Sequence, residues 1–155
     1  EGEGAQFTFY LPRYDGTRQA QQLEDINSPE EKFEGNQTIL VVDDEPALLE
    51  LILEILSAHG FNVICAGSAD EAMTILEHES IDILISDVIM PKLNGYQLAA
   101  MVKEKYPNVK IQLASGFGDD GNISIVDESL KQKLLHKPFN SKVLLQRVRE
   151  LCNEN

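Results

Sequence analysis

Five polar side chains stand at the ends of short apolar runs in this chain. Asp43 and Asp44 follow Ile39-Leu40-Val41-Val42, and Asp87 follows Ile83-Leu84-Ile85-Ser86. Ser115 follows Ile111-Gln112-Leu113-Ala114, and Lys137 precedes Pro138 after a brief run ending at His136. Each run has the length of a buried strand. In an open parallel sheet the C-terminal strand ends lie along one edge, and ligands bind there. Three carboxylates, a hydroxyl and an ammonium on one edge would suit a divalent metal and a phosphoryl group. Each residue also has a structural alternative. Asp43 or Asp44 could cap a helix starting near Pro46, Asp87 could cap the loop before Pro91, Ser115 could be a turn hydroxyl, and Lys137 a surface charge. The alternatives weaken together, because they leave it to chance that all five residues stand at C-terminal strand ends.

The elements that must hold these residues follow from periodicity. Strands are expected at Ile39–Val42, Phe61–Ala66, Ile81–Ser86, Val109–Ala114 and Lys133–His136. Pro46 opens a helix carrying Leu48, Leu49, Ile52, Leu53, Ile55 and Leu56, and Gly60 closes it. Ser68-Ala69-Asp70-Glu71 reads as a capping box before Ala72, Ile75 and Leu76. Gly95–Lys105 is a helix with Leu98, Met101 and Val102 inward. Glycines and acids at 116–122 leave room only for a short helix within Ile123–Leu130. Asn140 caps a final helix that buries Leu144, Leu145, Val148 and Leu151. Apolar strands alternating with helices predict an α/β fold: a doubly wound, five-stranded parallel sheet with helices on both faces. The flavodoxin-like order 2-1-3-4-5 sets strands one and three side by side at its switch point, which brings Asp43, Asp44 and Asp87 together.

The 155 residues suffice for one domain with a real core, and 43% hydrophobic and 25% charged residues suit a soluble globular protein. No run approaches the ~20 apolar residues of a membrane span, and no signal-peptide pattern is present. Net charge is -13, with 8 acids and 3 bases in residues 1–36 and 18 and 10 in the remainder. Both parts are acidic, which disfavours nucleic acid or a direct membrane contact. Cys65 and Cys152 form no metal or disulfide pattern and suit a reducing cytosol, Cys65 as a small buried hydrophobe. His59, His78 and His136 share no ligand spacing and read as surface or helix-end residues.

Four blocks then resemble a known family. Leu-Val-Val-Asp-Asp-Glu-Pro, Asp-Val-Ile-Met-Pro-Lys-Leu-Asn-Gly, Ala-Ser-Gly and His-Lys-Pro-Phe, in that order, are similar to the signature blocks of response-regulator receiver domains. The resemblance covers about residues 37–152 and implies a phosphoacceptor module of two-component signal transduction. It implies that Asp87 is the phosphoacceptor, taking its phosphoryl group from a phosphohistidine. Mg²⁺ would be held by Asp44, Asp87 and the backbone carbonyl of Ile89, with Asp43 acting through metal-bound water. Ser115 and Lys137 would each bind a phosphoryl oxygen. Receivers also have a cis peptide at the position of Lys137–Pro138. Their switch usually carries an aromatic three residues before the lysine, where this chain has Leu134. Ser115 then lacks its usual partner, and Phe117 is the aromatic expected to substitute. Ile89 and Phe117 flank the approach of a hydrolytic water, and their apolar side chains predict a long-lived phosphoryl group.

Residues 1–14, with Gly2, Gly4, Phe7, Phe9, Leu11 and Pro12, resemble the last glycine box and strand of a histidine-kinase ATP-binding domain. The expected organisation is that remnant at 1–14, a polar linker at 15–36 and the receiver at 37–155, in a hybrid histidine kinase. The parent would be the kinase; this piece would catalyse only its own phosphorylation. Partners would be a phosphohistidine-bearing kinase domain and a histidine phosphotransfer domain, in the cytoplasm, with the parent kinase open to membrane anchoring. Two rivals remain. A pseudo-receiver would keep the fold as an interaction module without phosphorylation. A dehalogenase-type phosphatase would need an acid/base two residues after the nucleophile, where this chain has Ile89.

Overall fold

The computed structural model describes residues 35–116 and 134–154. These lie in the second of the chain's two units, Phe33–Asn155. The expected leader strand, the linker up to residue 34, the short helix within Ile123–Leu130, Phe117 and Lys133 lie outside the described residues.

Strands β1 (Thr38–Val42), β2 (Asn62–Ala66), β3 (Ile83–Asp87), β4 (Lys110–Ser115) and β5 (Leu135–His136) alternate with helices α1 (Pro46–Ser57), α2 (Ala69–His78) and α3 (Gly95–Lys105); α4 (Ser141–Asn153) follows β5. The strands form one sheet of order β2-β1-β3-β4-β5, and every pairing is parallel. Successive side chains on a strand point to opposite faces, so each strand feeds two cores. Ile39, Val41, Ile83, Ile85 and Leu135 meet Ile52 and Leu56 of α1 and Leu144, Leu145 and Val148 of α4. Leu40, Val42 and Leu84 meet Ala72 and Leu76 of α2 and Leu98 and Val102 of α3 on the other face. A parallel sheet covered in this way favours apolar residues on both faces, which explains the nearly continuous runs in the sequence, with Ser86 and Gln112 as buried polar exceptions.

Local signals place the helices. Gly60 at φ 86 takes the left-handed turn that ends α1, and the following Phe61 N–H returns to the Leu56 carbonyl. Asn94 and Gln97 form a reciprocal capping box at the start of α3. Asn140 Oδ1 accepts from the Val143 N–H at the start of α4. At the far end of α4, the Lys110 ammonium donates to the Leu151 carbonyl at 2.6 Å, a cation on the helix's negative terminus. The box expected at Ser68 is only half made. Ser68 accepts from the Glu71 N–H, but the Glu71 carboxylate takes the Gly67 N–H instead. Met101, expected inward, is 37% exposed, because Leu98, Ala99 and Val102 already fill the stripe of α3 that meets the sheet. Cys65 and Cys152 are free and half-buried, and burial raises both thiol pKa values.

One close approach fixes the site loop. A Cβ on Gly95 would lie 2.0 Å from the Asp87 carbonyl oxygen and 3.0 Å from the Val88 Cα. Both are backbone atoms and cannot turn aside, so only glycine lets α3 begin against the end of β3. Gly95→Ala is expected to destabilise the fold by about 1–3 kcal/mol, the usual cost of overpacking. Denaturant melts will check it; an unchanged midpoint would mean that the loop can shift freely.

Candidate functional site

The parallel ladders run one residue past the strands and so carry the functional side chains with them. Asp43 N–H donates to the Ala66 carbonyl of β2, Val88 N–H to the Ala114 carbonyl of β4, and Lys137 N–H to the Ser115 carbonyl. The backbone of each site segment is therefore pinned to the next strand. Asp87 and Ser115 are the last residues of β3 and β4 rather than the first beyond them. The Lys137–Pro138 peptide is cis.

This framework brings the three carboxylates together. Asp43, Asp44 and Asp87 each offer an oxygen within 4.8 Å of the others. Asp43 and Asp87 are buried at 3% and 9% exposure, whereas Asp44 is exposed. Lys137 reaches back over the edge and places its ammonium 2.6 Å from Asp43 Oδ2 and 2.9 Å from Asp87 Oδ1. Asp43 Oδ1 also accepts from the Glu45 N–H at 2.9 Å, closing the turn into α1. The capping alternative is thus partly realised, since Asp43 both shapes that turn and joins the cluster. Glu45, the N-cap of α1, makes no side-chain cap bond.

The donor set fits a small hard cation. Three carboxylates with one exposed member provide oxygen ligands and leave an open side for water, as Mg²⁺ prefers. Ile89, expected to contribute only its carbonyl, has its side chain 60% exposed. Lys92 adopts φ 70, and the Leu93 N–H bonds the Pro91 carbonyl across it. This tight three-residue turn helps bring the chain from Ile89 back to Gly95.

Ser115 is 1% exposed, and its hydroxyl lies 3.3 Å from Nδ1 of His136, its cross-strand partner. On sequence alone His136 reads as a surface or helix-end residue. The ring is indeed exposed, but it engages a site hydroxyl. No sequence signal marks this contact, because it depends on the β4–β5 register that sets His136 level with Ser115. Leu134 packs against the cluster of Val88, Tyr96, Ala99 and Leu113 and extends no polar atom toward the hydroxyl.

Electrostatics follow from burial. Burial raises the Asp87 pKa, and the neighbouring Asp43 charge adds to that. The bond and charge of Lys137 and the Val88 N–H pull the other way without reversing it. For Lys137, burial alone would lower the pKa, but its bonds to Asp43 and Asp87 and their charges outweigh it and raise it. The lysine is held as a cation while Asp87 resists ionisation.

That shift has a consequence for stability. With its folded pKa above the ordinary 3.8, Asp87 binds its proton more tightly in the folded state than in the unfolded one. Stability is then lost as pH rises from 3.8 through the folded value. In chelator, Asp87→Asn is expected to melt higher than the wild type at neutral pH, with the gap closing below pH 3.8. Equal melting temperatures at neutral pH would mean that Lys137 fully offsets the burial.

Comparisons with known proteins agree with this architecture. The response regulator receiver domain family matches residues 39–149. Sensor kinase CckA of Brucella abortus is 31% identical over 161 residues, covering 99% of this chain and 17% of that protein. Transcriptional regulatory protein CpxR of Escherichia coli K12 is 35% identical over 117 residues, covering 76% of this chain and 50% of that protein. The chain therefore spans half or less of these two relatives. Among solved structures, the response regulator protein TrrA of Thermotoga maritima, in complex with Mg²⁺ and BeF, superposes with a TM-score of 0.66 at 30% identity, covering 74% of this chain and 98% of its own. A receiver domain protein from Clostridium thermocellum gives 0.66 at 31%, covering 76% and 94%. With the family match spanning all five strands and the acidic edge between β1 and β3, the chain belongs to the response regulator receiver domains of two-component systems.

Proposed function

We propose that this receiver accepts a phosphoryl group on Asp87 from a phosphohistidine, with Mg²⁺ held by Asp44, Asp87 and the Ile89 carbonyl and with Asp43 beside it. The observation that carries this reading is the Lys137 ammonium bridging Asp43 and Asp87 at the strand edge. An Asp87 carboxylate oxygen attacks phosphorus, the P–O bond forms as the P–N bond breaks, and the imidazole leaves with the electron pair. The protein's part is to position groups and offset charge. Lys137 has three N–H donors and gives two to Asp43 and Asp87, leaving a third to turn toward a phosphoryl oxygen. Ser115 would donate its hydroxyl proton to another. Bound Mg²⁺ would supply the positive charge that three carboxylates and an incoming phosphoryl group together require.

We further read the chain as part of a hybrid sensor histidine kinase, with a phosphohistidine-bearing kinase domain and a histidine phosphotransfer domain as its partners. The similarity to the Brucella sensor kinase covers 99% of this chain, whereas that to CpxR covers 76%. The segment before the receiver thus shares in the resemblance to the kinase. Among the described residues no helix is long and apolar enough to cross a membrane.

Intact-mass measurement after acetyl phosphate and Mg²⁺ is the direct test. One phosphate is expected on the wild type, and none on Asp87→Asn or in chelator. A phosphate on Asp87→Asn would remove Asp87 from the role, and no phosphate on any form would favour the pseudo-receiver. The lifetime of the phosphoryl group gives a second test. Ile89 is apolar and 60% exposed, so it cannot orient a water for attack on phosphorus. Adding a group that can do so, in Ile89→Asn, is expected to speed phosphate loss by about tenfold, equivalent to ~1.4 kcal/mol on the barrier. Equal decay rates would place control of that water elsewhere.

A further inference from the structure

Ser115 ends β4 buried, and its hydroxyl faces Nδ1 of His136 across the β4–β5 ladder. A serine hydroxyl has one proton to give and two lone pairs to receive. An imidazole Nδ1 is either a donor or an acceptor, according to its tautomer. If Nδ1 presents its lone pair, the serine proton points to the ring and is lost to any other acceptor. If Nδ1 carries the hydrogen, the ring donates to Oγ and the serine proton is free to point elsewhere. A phosphoryl oxygen competing for that proton must therefore select the Nδ1–H form of His136.

We propose that His136 is a positioning residue for Ser115, whose imidazole directs the hydroxyl proton toward the phosphoryl group on Asp87 and whose tautomer reports that group at the surface. The proposal rests on the reading of Asp87 as the phosphoacceptor. Three observations favour His136 over its neighbours. Leu135 packs in the α1/α4 core, so strand alternation sets Leu134 and His136 on the opposite face. Leu134 shares a cluster with Leu113, carries no polar atom and cannot follow a hydroxyl. His136 is level with Ser115 in the ladder and exposed, so a change in its hydrogen bonding is readable from outside. The coupling is reciprocal: whatever phosphoryl binding does to the ring, holding the ring in the Nδ1–H form does for phosphoryl binding.

The test uses the full chain labelled with ¹⁵N-histidine at about pH 8, where a free imidazole is neutral. Beryllofluoride with Mg²⁺ serves as the phosphoryl mimic, and ¹⁹F resonances report loading independently. On loading, the His136 nitrogens are expected to move to the Nδ1–H pattern while those of His59 and His78 stay in place. Ser115→Ala, given enough beryllofluoride for ¹⁹F to report full loading despite the lost hydroxyl, should lose the His136 response. His136→Phe, which keeps a ring but lacks the nitrogen, should be phosphorylated by acetyl phosphate about two- to tenfold more slowly, the scale of one hydrogen bond. Loading without movement of the His136 nitrogens, or wild-type rates in His136→Phe, would overturn the positioning role alone. Absence of any loading would overturn the phosphoacceptor reading and this role with it.

Discussion

The Lys137 ammonium is what allows two buried carboxylates to share one edge of this sheet. Asp43 follows β1 and Asp87 ends β3, and without a cation between them each would raise the cost of ionising the other. Lys137 comes from the segment after β5, so a single side chain ties three strand ends together across the sheet. Removing Lys137 would leave both carboxylates buried and unmatched, a loss that commonly costs about 3–5 kcal/mol. The order β2-β1-β3-β4-β5 is therefore more than a scaffold. It sets β1 beside β3, and the extension of each parallel ladder by one hydrogen bond holds the three segments in register.

That pairing also leaves the site charged. One ammonium, bonded to Asp43 and Asp87, serves a cluster of three carboxylates, and the Asp87 pKa stays raised even with Lys137 at 2.9 Å. Burial and the second carboxylate outweigh the single cation. A site in this condition favours a ligand that brings positive charge, and Asp44, exposed beside the buried pair, is placed to receive it. The packing around Gly95 serves the same end. By admitting the start of α3 against the Asp87 carbonyl, it fixes the peptide from which the Asp87 side chain projects.

Much of this was legible in the sequence because a two-sided parallel sheet demands unbroken apolar runs, and their ends can be read off directly. The strand-end positions of Asp43, Asp87 and Lys137 pointed to one edge, and there the three side chains meet. Details set by packing were not. Periodicity could not tell that Met101 falls at the rim of the α3 stripe, since it lies one helical turn from Leu98 and sterics alone decide between neighbours. The Ser68–Glu71 pattern could not tell that the glutamate would choose the Gly67 N–H, because both donors lie within reach of a flexible side chain. His136 was missed for a different reason. A histidine on a strand end has no sequence signature for engaging a hydroxyl; its role depends on the register between β4 and β5, which only the paired strands reveal.

The rival in which this chain is only an interaction module can be weighed on energetic grounds. Interaction surfaces depend on exposed groups, whereas Asp43, Asp87 and Ser115 are 3%, 9% and 1% exposed. Buried ion pairs are seldom a source of stability, and well-packed apolar residues often serve the fold equally well or better. A module selected only to dock would gain from relaxing this cluster into the apolar core around it. Here the carboxylates are instead buried, partly compensated, and left open through Asp44 on one side. Such an arrangement is the balance that the proposed phosphoacceptor role of Asp87 would require, with stability given up where a carboxylate must wait for a phosphoryl group.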